Sequence, residues 1–113
     1  MSKTIFAKII DREIPAKIVH EDEQCLAFHD VAPRAPMHIL VVPKKPIPKL
    51  ADANPEDAPL LGHLLSVASQ IAKDQGYGEA FRLVVNNGEA AGQTVFHLHI
   101  HVMGGREFAW PPG

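Results

Sequence analysis

The stretch Phe96-His97-Leu98-His99-Ile100-His101-Val102 decides how this chain is read. Histidine alternates with large apolar residues, which is the period of a β-strand. A strand over Val95 to Met103 would turn Phe96, Leu98, Ile100 and Val102 into the core and stand three imidazoles about 6.6 Å apart on the other face. Outward strand faces more often carry Thr, Lys or Glu, and aligned imidazoles repel once charged, so the pattern points to chemistry and not to a solvated surface. His20, His29 and His63 are isolated in the sequence and read as surface or structural residues. His38, on an otherwise apolar strand, reads on its own as a satisfied buried histidine.

Two chemistries suit such a row. Three neutral imidazoles with an open fourth position could form a catalytic zinc site. Alternatively, one imidazole attacks phosphorus while its neighbours manage protons and charge. Zinc-bound histidines need carboxylate or carbonyl partners behind them, yet Asn86 to Gly105 offers only Glu89 as a carboxylate. The same stretch offers Gly88, Gly92, Gln93 and Thr94, whose amides and side chains suit an anionic phosphate. Phosphate chemistry without a metal is therefore favoured. A histidine with an ordinary pKa near ~6.5 is largely neutral at pH 7, and if one ring nitrogen donates to a fixed acceptor the other keeps its lone pair. His99 is central in the row, so it is the expected nucleophile, with His97 and His101 flanking it.

Working outward, Thr4 caps a short helix carrying Ile5, Phe6, Ile9 and Ile10, with Pro15 as its stop. Strands are predicted over Lys17 to His20 and Cys25 to His29, joined by a hairpin turn, and over His38 to Val42 between proline-bearing segments. A long helix follows, with Asp57 the favoured cap over Asn54, a stripe of Leu61, Leu64, Leu65, Ala68, Ile71 and Ala72, and Gly76 as stop. Phe81 to Asn86 reads as a further strand and Asn87 to Gly92 as a loop. The sum is an α+β domain with a mainly antiparallel sheet covered on one face.

The 113 residues, 46% of them hydrophobic, suit one domain, residues 1–113, for which pairing with a second copy would add burial. A net charge of -2 lacks the basic excess that holds a polynucleotide, so nucleic acid is not the expected partner and a small ligand is. The single cysteine, Cys25, excludes an internal disulfide. With nothing like a leader before Thr4 and no apolar run near the ~20 residues that span a bilayer, a cytoplasmic protein without membrane contact is expected.

His97-Leu98-His99-Ile100-His101-Val102-Met103 resembles the signature of the histidine triad superfamily. Thr4 to Ile18, Leu26 to Asp30, His38 to Lys45 and the ending Trp110-Pro111-Pro112-Gly113 resemble its Hint branch, the purine nucleoside phosphoramidate hydrolases. That resemblance implies a five-stranded antiparallel sheet with one short and one long helix, continued across a homodimer interface. It implies hydrolysis of purine nucleoside 5′-phosphoramidates and aminoacyl adenylates through a nucleotidyl-histidine, with no metal and no cofactor. By the same resemblance His99 is the nucleophile, supported by His97 and His38, while His101, Asn86 and Thr94 meet the phosphate or help the amine depart. The glycine-bearing loop adds Gly92, Gln93 and Val95 to the nucleotide site. Asp30 matches the carboxylate that holds the ribose, and Ile5, Phe6, Ile9, Phe28 and Val31 match the base pocket. Trp110 is implied to reach the partner copy's site and to set specificity there.

Thr94 stands where close relatives often have serine, and Pro46 where many have histidine; the final triad position is histidine, as in the hydrolases, and not glutamine. Two rival functions remain: a zinc-binding regulatory module and a catalytically idle nucleotide-binding scaffold.

Overall fold

The computed structural model describes residues 3–113; of the segment before Thr4, Met1 and Ser2 lie outside the described residues. A short helix, α1 (Ile5–Ile10), precedes strands β1 (Ile18–Glu21), β2 (Cys25–His29) and β3 (Met37–Pro43). The long helix α2 (Ala58–Asp74) leads to β4 (Phe81–Val84) and β5 (Ile100–Gly104). Among the described residues, five strands form one antiparallel sheet in the order β1-β2-β3-β5-β4.

Local chemistry explains most of the boundaries. Thr4 Oγ1 accepts the Ala7 N–H at 3.1 Å, the expected cap, but α1 ends at Ile10, well before Pro15. Arg12, at φ 62, turns the chain out of the helix. Asp22 builds the β1–β2 turn by accepting the N–H groups of Gln24 and Cys25 at 2.8 and 2.9 Å. At the start of α2 the two candidate caps cooperate. Pro55–Asp57 forms a 3-10 turn in which the Asp57 carboxylate accepts the Asn54 N–H at 2.9 Å and the Lys45 ammonium at 2.6 Å. Pro59 then falls in the first turn of α2, where a missing N–H costs nothing.

The sheet is covered on both faces, not on one. On one face α2 contributes Leu64, Val67, Ala68, Ile71 and Ala72 against Cys25, Ala27, Ile39, Val41, Ile100 and Val102. Val67 replaces Leu65 in the stripe, because Leu65 points to solvent. On the other face Phe6 and Ile9 of α1 pack on Leu26, Phe28, Leu40 and Val42. Every residue of β3 is consequently buried, the mark of a central strand between two layers. No helix among the described residues is long and apolar enough to cross a membrane.

The largest departure concerns the histidine stretch. Only Ile100 onward joins the ladder, with Ile100 opposite Val41. Residues 95–99 leave the sheet and cross the chain that follows β3, where the Leu98 N–H donates to Ile47 O at 2.7 Å. Leu98, Ile100 and Val102 are buried as expected, but Phe96 is 42% exposed. For the same reason β4 stops at Val84: its last ladder partner is His101, so Val85 and Asn86 extend past the sheet.

Candidate active site

Because residues 95–99 curl over the edge of the sheet, the three imidazoles do not stand as a flat outward row. His97 and His99 are buried and His101 is half-buried, on the α1 side of the sheet. The His99 and His101 ring centroids lie 5.0 Å apart, and those of His38 and His101 5.1 Å apart. Phe6 sets its ring edge-on to His99 at 5.0 Å and to Phe28 at 5.4 Å.

The hydrogen bonds assign each ring a tautomer. A carbonyl oxygen can only accept, so His99 must donate from Nδ1 to His97 O at 2.7 Å, which leaves the lone pair on His99 Nε2. His97 likewise donates from Nε2 to Pro43 O at 2.7 Å. A backbone N–H can only donate, so the Arg34 amide, 2.9 Å from His38 Nδ1, places the His38 proton on Nε2. That proton points at His101 Nδ1, 2.9 Å away, and His101 in turn carries its own proton on Nε2. Asp30 Oδ2 stands 3.4 Å from His38 Nε2, and Asp30 Oδ1 accepts the Ala32 N–H at 2.8 Å.

Burial favours the neutral form of His38, His97 and His101. It lowers the pKa of His97 and of His38, the latter against the opposing pull of Asp30. His101 is pushed down to about 4, first by burial and then by the neighbouring His99 and His38. A neutral His101 acts as a hydrogen-bond donor through Nε2 and not as a cationic acid.

His99 and His101 open onto a cleft of about 880 Å³. Ile5, Phe6, Ile9, Phe28 and Val31 form one side of it, and Asp30, Thr94 and Val95 also reach it. These sequence-derived residues are therefore brought together, with Phe6 and Ile9 serving as core and as cleft wall at once. His97 and His38 sit behind the cleft and orient what faces it. Gln93 is buried and fully engaged: its amide donates to Pro48 O and Val95 O, and its oxygen accepts the Gly88 N–H. It braces the loop and offers no side-chain group to a ligand. Gly92, in the left-handed region at φ 97, closes a 3-10 turn with the Asn86 side chain close by, and neither residue lines the cleft.

Trp110 is 83% exposed and does not pack on its own domain. The tail is nevertheless anchored just before it: Phe108 lies under the Arg82 and Arg106 guanidinium groups at 5.1 and 4.2 Å, and Arg82 donates to Ala109 O at 3.0 Å. Sequence reasoning missed Leu40, Ala16, Lys17 and His29 as cleft residues. Leu40 carried a usable signal, since it lies two residues after His38 on the same strand face. It also missed that His20 and His63 meet at Asp22, each 2.7 Å from its Oδ2.

A sheet layered between two helices, with a histidine-lined cleft on the short helix's side, defines a particular class of α+β domain. The chain belongs to the HIT family: the HIT domain pattern matches residues 11–108. An uncharacterized HIT-like protein of Synechocystis is 64% identical over 110 residues, 97% of this chain and 96% of that protein. The crystal structure of a HIT family hydrolase from Legionella pneumophila superposes with a TM-score of 0.96 at 45% identity, covering 98% of this chain and 100% of that one. A histidine triad protein from Clostridium difficile gives 0.91 at 41% identity, over 96% and 97% of the two chains.

Proposed function

We propose that this chain is a hydrolase of purine nucleoside 5′-phosphoramidates and aminoacyl adenylates, acting through a covalent nucleotidyl-His99. The observation that carries this reading is the His99 Nδ1–H bond to His97 O, which leaves the Nε2 lone pair on a ring that borders the cleft. Kinship with the HIT family, and the description of a similar protein from Legionella pneumophila as a hydrolase, support it.

The base and ribose enter the apolar side of the cleft, between Ile5, Phe6, Ile9, Phe28 and Val31, with Asp30 accepting from the ribose hydroxyls. His99 Nε2 attacks phosphorus as the bond to the amine breaks, or, in an aminoacyl adenylate, as the bond to the carboxylate oxygen breaks and the carboxylate leaves unprotonated. His101 Nε2–H, held in place by His38, donates to a phosphoryl oxygen. The departing amine takes a proton from solvent through the exposed Thr94 hydroxyl, which can pass one proton while receiving another. Water then attacks phosphorus, the bond to His99 breaks, and a nucleoside 5′-monophosphate leaves while the proton returns to solvent. The loop braced by Gln93 keeps Thr94 at the mouth.

The working unit is a homodimer with the sheet continued across its interface, in which Trp110 of one copy reaches the leaving-group side of the other's cleft. Exposure of Trp110 on an anchored tail supports this. The setting is cytoplasmic, with neither membrane nor nucleic acid as partner. A fluorogenic adenosine phosphoramidate tests the activity, and mass spectrometry of protein quenched during turnover tests for the nucleotidyl adduct. Turnover by wild type with no adduct and no loss in His99→Ala would overturn the mechanism.

A further inference from the structure

On the sheet face away from the cleft, four side chains from four elements meet. His20 lies on β1, Asp22 in the turn after it, Cys25 at the start of β2 and His63 on α2. His20 Nε2 and His63 Nε2 each lie 2.7 Å from Asp22 Oδ2, and Cys25 Sγ lies 3.3 Å from the same atom. The ligating atoms of His20, Asp22 and Cys25 are all within 4.8 Å of one another. Asp22 Oδ1 is held by the Gln24 and Cys25 N–H groups, so the carboxylate is fixed and Oδ2 is the atom presented. Three hydrogen-bond donors thus crowd one oxygen with two lone pairs. A groove of about 400 Å³ between β1 and α2, lined by His20 and His63, leads to them from solvent.

We infer that His20, Asp22, Cys25 and His63 form a binding site for one zinc-type divalent cation that clips α2 to the β1–β2 hairpin. Imidazole nitrogen, carboxylate oxygen and thiolate are the ligand types such an ion selects, in a closed tetrahedral set. Bonds of about 2.0–2.3 Å place the ligand atoms of a tetrahedron roughly 3.3–3.7 Å apart. The 2.7 and 3.3 Å separations from Asp22 Oδ2 lengthen as the ion enters, and the half-buried His63 ring, which stands outside the close group of His20, Asp22 and Cys25, turns inward to complete the set. On binding, each ring moves its proton to Nδ1 and the Cys25 thiol releases its proton to solvent. The two charges of the cation then meet one thiolate and one carboxylate, leaving the set neutral. The two Asp22 Oδ1 bonds supply the outer support that orients a metal-bound carboxylate. This ion holds two elements together and stands apart from the triad, so it takes no part in hydrolysis.

The full chain, stripped with a chelator and dialysed, is titrated with ZnCl2 and with CoCl2. Wild type should take up one equivalent, with the cobalt form showing the visible bands of a tetrahedral site and a thiolate-to-cobalt band in the near ultraviolet. Zinc should raise the melting temperature. His20→Gln and His63→Gln should each weaken uptake by about tenfold or more, while turnover of the nucleotide substrate stays at the wild-type level. Cys25→Ser should remove the thiolate band; because Cys25 is fully buried, the two glutamine variants decide the matter if that protein does not fold. Absence of stoichiometric uptake, a wild-type cobalt spectrum without the thiolate band, or uptake unchanged in both glutamine variants would overturn the assignment. So would uptake abolished by His101→Gln instead, which would put the ion at the triad.

Discussion

Lowering the pH from 7 to 5 should destabilise the fold by about 2 kcal/mol through His101 alone. In the folded chain burial holds this imidazole neutral down to about 4, whereas the unfolded chain titrates it near the ordinary value of 6.5. Between those values the unfolded state binds more protons, so acid favours unfolding. The stability is complete above the upper value and is lost as pH falls through the window toward the lower one. The full gap sets a ceiling of roughly 3 kcal/mol, of which about 2 is lost by pH 5. His38 and His97, whose pKa values burial also lowers, add loss of the same sign. Urea unfolding of wild type and His101→Gln at pH 7 and pH 5 isolates the share of His101, because the glutamine can still accept from His38 but does not titrate. The variant should lose about 2 kcal/mol less than wild type over this range. An identical acid dependence in the two proteins would refute the reasoning, as would a nuclear magnetic resonance titration showing His101 protonated at pH 6.

His99→Ala should abolish turnover while nucleotide binding, read by calorimetry, remains measurable; near-normal hydrolysis would remove the covalent route. Asp30→Asn should lower kcat/KM for ribonucleotide substrates about tenfold or more and narrow their advantage over 2′- and 3′-deoxy analogues, as steady-state kinetics would record. Trp110→Ala should change unfolding free energy by less than about 0.5 kcal/mol, given its exposure, yet alter relative kcat/KM between bulky and small amine leaving groups; unchanged selectivity would confine Trp110 to a passive role. Gly105→Ala should destabilise by about 1–3 kcal/mol, because φ is 97 and an added Cβ would stand 2.8 Å from Pro36, a loss that thermal melting would show.

Much of the fold was legible because local rules governed it. Thr4 caps α1, Asp57 precedes α2, and Cys25–His29 forms β2 as their chemistry demanded. The alternation from His97 to Met103 correctly sent Leu98, Ile100 and Val102 inward. It failed at Phe96, because a period of two describes a strand only where a neighbour supplies the ladder, and β3 supplies none before Ile100. Gln93 was misjudged for a related reason: from sequence its amide could face a ligand or the loop, and the acceptors at Pro48 and Val95 decide for the loop. His20 and His63 looked solitary since nothing local announces that a strand and a distant helix will meet over Asp22. The triad itself was visible, but its tautomers depend on carbonyls and an amide that only the fold brings into reach.

The bond from the Arg34 amide to His38 gives the imidazole chain a direction. A peptide N–H does not surrender its proton in the physiological range, so this end of the chain cannot be inverted, and it behaves like the blocked side of a diode. His38 has one way to orient its proton and His101 one way to answer it. The donor aimed into the cleft is thus set before any substrate arrives, and no slow exchange of ring tautomers need precede each turnover. An imidazole bordering the cleft has been polarised by a backbone atom, which substitution at position 34 by any residue except proline would leave in place.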